Sequence, residues 1–208
     1  MKIKYVVPES IDEIKLNQYQ LFLKLQDEIA EKQIDEVAYM IQVINIFVKG
    51  DLSKIEKLPV SKLEEIFTTV LNVFQQGESK LFKRVKIKGV DYAMHSNLSD
   101  ITTSEFATIQ EFEKKGFSEN LHKILAVLYR PIVQESNGLY RLESYNGLGG
   151  RDELFKEHFP CEAVDGSIVF FWTLRNELLK ISHTSLSRKE RRKLLRQAEP
   201  SSGDGITS

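Results

Sequence analysis

A chain of 208 residues, 41% apolar and 28% charged, holds enough hydrophobic material for one well-packed domain or two small ones. A net charge of -1 gives no overall attraction to nucleic acid or to an anionic membrane, and no run of about 18 apolar residues offers a transmembrane helix. The single cysteine, Cys161, excludes an internal disulfide and a multi-cysteine zinc site; with an N-terminal stretch lacking the apolar core of a signal peptide, a soluble cytoplasmic protein is expected.

Lys2 to Val7 reads as a short strand stopped by Pro8. Tyr19, Phe22, Leu25 and Ile29 then recur at helical spacing. A second helix is expected from Asp35 to Val48, with Gly50 just past its end, and a third after Pro59, where Leu63, Ile66, Phe67, Val70, Leu71 and Phe74 repeat at helical spacing until Gly77 closes the run. The character changes at Leu81 to Lys88, which nearly alternates like a half-exposed strand, with Gly89 to Met94 returning as its hairpin partner. Beyond it, one helix carries Phe106, Ile109 and Phe112 and ends near Gly116. Another holds Leu121, Ile124, Leu125 and Leu128 until Pro131 breaks it. Leu139 to Tyr145 alternates as a strand, and Gly147-Leu148-Gly149-Gly150 reads as a turn. A last helix is expected from Val164 to Ser182, with Phe170 and Trp172 off its apolar stripe. The final ten or so residues are too polar to repay the entropy of ordering.

One short pattern appears twice, around Ile14 and again around Ile101: an aliphatic residue, an acid two places on, an isoleucine, and an aromatic five residues later. In the second copy Thr102-Thr103-Ser104-Glu105 spells a capping box. The first copy keeps Gln18 but has Lys15 where the capping hydroxyl belongs, so Asn17 is the expected cap. The resulting fold class is mainly α with a small β-hairpin. Its division is an N-terminal helical half (1-78), a hairpin connector (79-96), a C-terminal helical half (97-186) and a basic, then polar, flexible tail (187-208), with an internal duplication as one reading of the halves.

No catalytic constellation emerges. His95, His122, His158 and His183 lack the spacing of a metal pair, and Glu157-His158 beside Cys161 is a poor nucleophilic arrangement with Pro160 between. The glycines at 147-150 do not complete a dinucleotide fingerprint, because Asp152 occupies the place of the third glycine. No cofactor or metal is expected, and the protein reads as a non-enzyme. The strongest charge signal is Arg188, Lys189, Arg191, Arg192, Lys193 and Arg196, a set suited to polyanions; without interleaved aromatics it makes no stacking platform for single strands. Phe74, Phe170 and Trp172 put apolar bulk where a partner can meet it.

The stretch Leu98 to Phe106, the segment Leu125-Ala126-Val127-Leu128-Tyr129-Arg130-Pro131-Ile132, the strand Tyr140 to Tyr145 and the run Phe170-Phe171-Trp172-Thr173-Leu174 together resemble small bacteriophage morphogenesis proteins. The region from Pro8 to Phe74 is similar to the tail assembly chaperones of long-tailed phages. That resemblance implies a helical, non-enzymatic protein in the cytoplasm of the infected host. It would bind apolar helical segments of the tape-measure protein and recruit tail-tube subunits, with self-association a further possibility and neither nucleic acid nor membrane as expected partners. On this reading Phe74, Phe170 and Trp172 are partner contacts, and Tyr129 and Arg130 pack or orient. The alternatives are a permanent virion component, at the head-tail junction or capsid interior, and a nucleic-acid module using the basic tail.

Overall fold

The computed structural model describes residues 5-53, 55-75, 80-95, 100-173 and Asn176. The chain divides into two compact units, Met1–Ser167 and Ile168–Ser208.

In the first unit, a two-residue strand β1 (Tyr5–Val6) precedes helix α1 (Leu16–Ala30). Lys15 is the N-cap and has no side-chain acceptor. Only the reverse half of a capping box forms, with Gln18 Oε1 accepting from the Lys15 N–H at 3.0 Å. Asn17, expected as the cap, instead lies inside the helix and accepts from the next amide at 2.8 Å. Helix α2 (Glu36–Phe47) is capped by Asp35, whose side chain accepts from the Ala38 N–H. It ends at Phe47 with Val48 as its cap and Gly50 just beyond, as expected. The chain passes straight through extended Val48 into β2 (Lys49–Gly50), which pairs antiparallel with β1. Helix α3 (Val60–Gln75) follows Pro59, whose carbonyl accepts from the Lys62 and Leu63 amides.

Four aromatic rings join these helices. Phe74 stacks on Phe22 at 5.0 Å and meets Phe47 at 5.2 Å and Tyr19 at 6.0 Å. Such offset and edge contacts add about 0.5–1.5 kcal/mol per pair beyond area burial.

Strands β3 (Arg84–Ile87) and β4 (Val90–Ala93) form the expected hairpin, but it does not divide two helical halves. β4 pairs onward with β5 (Arg130–Ser136), and β5 with β6 (Leu139–Leu142), giving an antiparallel sheet of order β3-β4-β5-β6. The small hairpin foreseen from sequence is therefore one side of a four-stranded sheet. Pro131, read as a helix breaker, sits within β5 opposite Tyr92. It supplies only an acceptor there, and its carbonyl takes the Glu143 N–H at 2.9 Å. The turn between β5 and β6 is Asn137-Gly138, both with positive φ, as a type I′ hairpin requires. Val133 is an extra residue between the Ile132–Leu142 and Gln134–Arg141 pairs, a bulge that rephases the strand.

Helix α4 (Thr103–Lys114) begins with the expected capping box, Thr102 accepting from the Glu105 N–H and Glu105 from the Thr102 N–H at 2.8 Å. Helix α5 (Phe117–Leu128) is the centre of the fold. Leu121, Ile124, Leu125, Ala126, Val127 and Leu128 are all buried, because α1, α4 and α6 (Arg151–His158) surround it. Buried Gln20 donates from α1 to the Ser118 carbonyl at 2.7 Å at the start of α5. Tyr19 donates to Asp165, and Tyr129 donates to the Phe82 carbonyl at 2.6 Å. The two expected halves thus share one core. Phe155 of α6, fully buried, packs edge-on against Tyr92 of the sheet at 5.2 Å. Residues 164-167 are helical.

In the second unit, residues 168-173 are helical, and the Phe171 and Trp172 rings meet at 5.0 Å. The rest of the expected helix to Ser182, apart from Asn176, lies outside the described residues.

Candidate functional site

Of the residues singled out for partner contact, Trp172 is 37% exposed, near Val169 at 58% on the same short helix. Phe170 is half-buried. Phe74 is also half-buried, with its ring engaged by three others. The basic set Arg188, Lys189, Arg191, Arg192, Lys193 and Arg196 lies outside the described residues. Tyr129 and Arg130 are both buried, and both cross-link the fold.

Arg130 is the hinge of a polar cluster that periodicity could not reveal. As the first residue of β5 it follows directly on α5 and its cap Tyr129. Its Nη2 lies 3.1 Å from Glu105 Oε1, and its Nη1 donates to the Glu143 carbonyl at 2.7 Å. His95 Nε2 sits between the two charges, 2.5 Å from Arg130 Nη2 and 3.2 Å from Glu105 Oε1. With a proton it donates to Glu105; without one it accepts from Arg130. Burial pushes Glu105 up, but hydrogen bonds from His95 and from the Thr102 hydroxyl and amide, with the Arg130 charge, outweigh it and hold the carboxyl at about 2. Burial draws Arg130 below the usual guanidinium value, with the Glu105 charge opposing. Among the described residues, buried Arg130 Nε has no hydrogen-bond partner.

Beside this cluster lies a cleft of about 500 Å³ between the first turn of α4 and the stretch 140-145. Glu143 on its wall is held by Arg151 at 3.1 Å. The two buried ions of the cluster, Arg130 and Glu105, are each other's counterion. Among the described residues no three His, Cys, Asp or Glu side chains converge as metal ligands. Cys161 is buried, which raises its thiol well above the ordinary range and makes it a poor nucleophile.

A second concavity, of about 490 Å³, runs between α1 and α2. Leu21, Lys24, Leu25 and Glu28 line one side at i, i+3, i+4 and i+7; Gln42, Asn45 and Ile46 line the other at i, i+3 and i+4. Buried Leu25 forms part of the floor, and Leu21, 53% exposed, stands at the edge. Ridges at this spacing on two neighbouring helices leave a groove between them. Its trace in the sequence is Leu21 alone, one position before the stripe of Phe22 and Leu25 and followed at helical spacing by the charged Lys24 and Glu28.

Among the described residues no helix is long and apolar enough to cross a membrane. Comparison with protein families, with curated proteins and with solved structures gave no match.

Proposed function

We propose that this chain is a non-enzymatic assembly protein that binds an apolar helical segment of a partner, and that it serves as a tail assembly chaperone acting on the tape-measure protein of a long-tailed phage. The observation that carries the helix-binding part is the α1–α2 groove, where Leu21, Leu25 and Ile46 supply apolar surface among Lys24, Glu28, Gln42 and Asn45, with walls that repeat at helical spacing and Leu21 half in solvent at the edge. A partner helix with apolar residues at i, i+3, i+4 and i+7 fits it. An acid opposite Lys24 and a base opposite Glu28 set its direction. Covering Leu21 and the trough would contribute about 1.5–3 kcal/mol per fully buried large apolar side chain.

The resemblance of Leu125 to Ile132 and of the N-terminal region to phage morphogenesis proteins supports naming the partner as the tape measure. Its apolar stripe needs shielding until tube subunits cover it. Val169 and Trp172 offer a further apolar surface in the second unit for such a partner. Co-expression with fragments of the tape-measure protein of the same phage, followed by pull-down, tests the reading. A fragment of helical apolar periodicity should co-purify, and mass spectrometry of mature particles should not find this chain. Failure of every fragment to bind a folded chain contradicts the proposal.

A further inference from the structure

We propose that His95 is a pH-sensitive latch on the joint between α4 and β5. Without a proton it holds Arg130 in place; with one it takes over Glu105 and frees the guanidinium to swing into the cleft. The inference is independent of the α1–α2 groove.

A single ring atom carries it. His95 Nε2 stands 2.5 Å from Arg130 Nη2 and 3.2 Å from Glu105 Oε1. A guanidinium only donates and an ionised carboxylate only accepts. Nε2 therefore serves the arginine while it has a lone pair and the glutamate once it has a proton, never both together. Glu105 stays ionised through the change, its carboxyl being held at about 2. Its other oxygen gives Arg130 no second seat, because Oε2 already accepts from the Thr102 amide at 2.8 Å and from the Thr102 hydroxyl at 2.7 Å. Protonation thus leaves two cations competing for Oε1. The His95 side chain is 17% exposed and that of Arg130 5%, so water screens their repulsion poorly.

Arg130 is the partner able to leave. Its Nη1 keeps the Glu143 carbonyl, its Nε has no hydrogen-bond partner among the described residues, and it lines the cleft. The surroundings of the imidazole do not cancel the added charge. Asp100 and Glu105 face it from the start of α4, Arg130 from β5, and Arg141 and Glu143 from the far wall, where Arg151 of α6 holds Glu143. Tyr140, which donates to the Met94 carbonyl, and Tyr145 are the other titratable groups on that wall. These three acids and three arginines offset one another, so a protonated His95 leaves one positive charge in surplus. Histidine is the side chain that ordinarily makes this change between pH 5 and 8.

The test is nitrogen-15 NMR of the full chain at pH 8 and at pH 5, reading the His95 ring and the Arg130 side chain. At pH 8 Nε2 should be unprotonated, with the ring hydrogen on Nδ1, and the Arg130 Nη hydrogens should be protected from solvent exchange. At pH 5 Nε2 should carry hydrogen, and Arg130 protection should fall at least tenfold after correction for the intrinsic pH dependence. The Thr102 amide, bonded to Oε2, should keep its protection, which separates release of the latch from melting of the helix start. His95→Gln should abolish the pH dependence at Arg130, since its amide accepts from Arg130 and donates to Glu105 at either pH; circular dichroism checks its fold. The readings on the parent decide the matter whether or not this variant folds. The proposal is overturned by a hydrogen on Nε2 at pH 8, by equal Arg130 protection at the two pH values, by loss of Thr102 protection together with that of Arg130, or by a folded His95→Gln that keeps the parent's response.

Discussion

Glu105 Oε1 and Arg130 Nη2 lie 3.1 Å apart, joining the first turn of α4 to the first residue of β5 with both side chains almost wholly out of water. The same carboxylate closes the helix cap on Thr102, so one residue serves helix initiation and sheet attachment together. Removing one partner strands the other's charge. Arg130→Leu should cost about 3–5 kcal/mol by urea denaturation. The double variant Glu105→Leu with Arg130→Leu should recover part of that loss while retaining a cap deficit of about 1 kcal/mol. Additive losses would show that the pair is not coupled.

The depressed Glu105 carboxyl predicts an acid sensitivity of defined sign. Its value falls from 4.5 to about 2 on folding, so the unfolded chain binds this proton more readily. The stabilisation is fully present above the unfolded value and is lost as pH falls toward 2, amounting to roughly 3 kcal/mol as an upper figure. Urea titrations of the protein and of Glu105→Gln should therefore differ most above pH 5 and converge toward pH 2.5. A constant difference across that range would contradict the assignment.

The capping box at Thr102 to Glu105 was readable because all its partners lie within four residues. Helices α1 to α5 were readable from apolar spacing for the same local reason. β5 was not: its strand partners are the distant residues 92-93 and a hairpin mate whose register carries a bulge, and Pro131 at its second position imitates a helix stop. α6 escaped because it has eight residues and only Phe155 is buried on it. Arg130 was legible as a packing or orienting residue, yet its partner was not. Glu105 stands 25 positions earlier in the chain, and its sequence signal was already accounted for by the cap. The α1–α2 groove needs two helices side by side, which no single periodicity encodes.

Gly166 marks a close approach of two backbone segments. A Cβ there would lie 2.2 Å from the Lys80 carbonyl oxygen and 2.7 Å from the Leu81 nitrogen, neither of which can swing aside as a side-chain tip can. Gly166→Ala should destabilise by about 1–3 kcal/mol, the usual range for overpacking, although alanine favours helix intrinsically. Thermal or urea unfolding checks it. An unchanged or raised midpoint would show that the 80-81 segment yields freely.

Leu21 separates binding from folding, because its side chain is more than half exposed at the edge of the groove. Leu21→Glu should leave unfolding within about 0.5 kcal/mol of the parent, as exposed substitutions generally do. It should also weaken capture of an apolar helix at least tenfold. Equal binding by parent and variant would move the partner site elsewhere.

The central claim, that a partner helix lies between α1 and α2, is tested most directly by hydrogen exchange on the chain bound to a tape-measure fragment. The account predicts new protection concentrated at residues 21-28 and 42-46, absent in Leu21→Glu. Protection confined to other surfaces, or a complex that forms without altering exchange in α1 and α2, would contradict it.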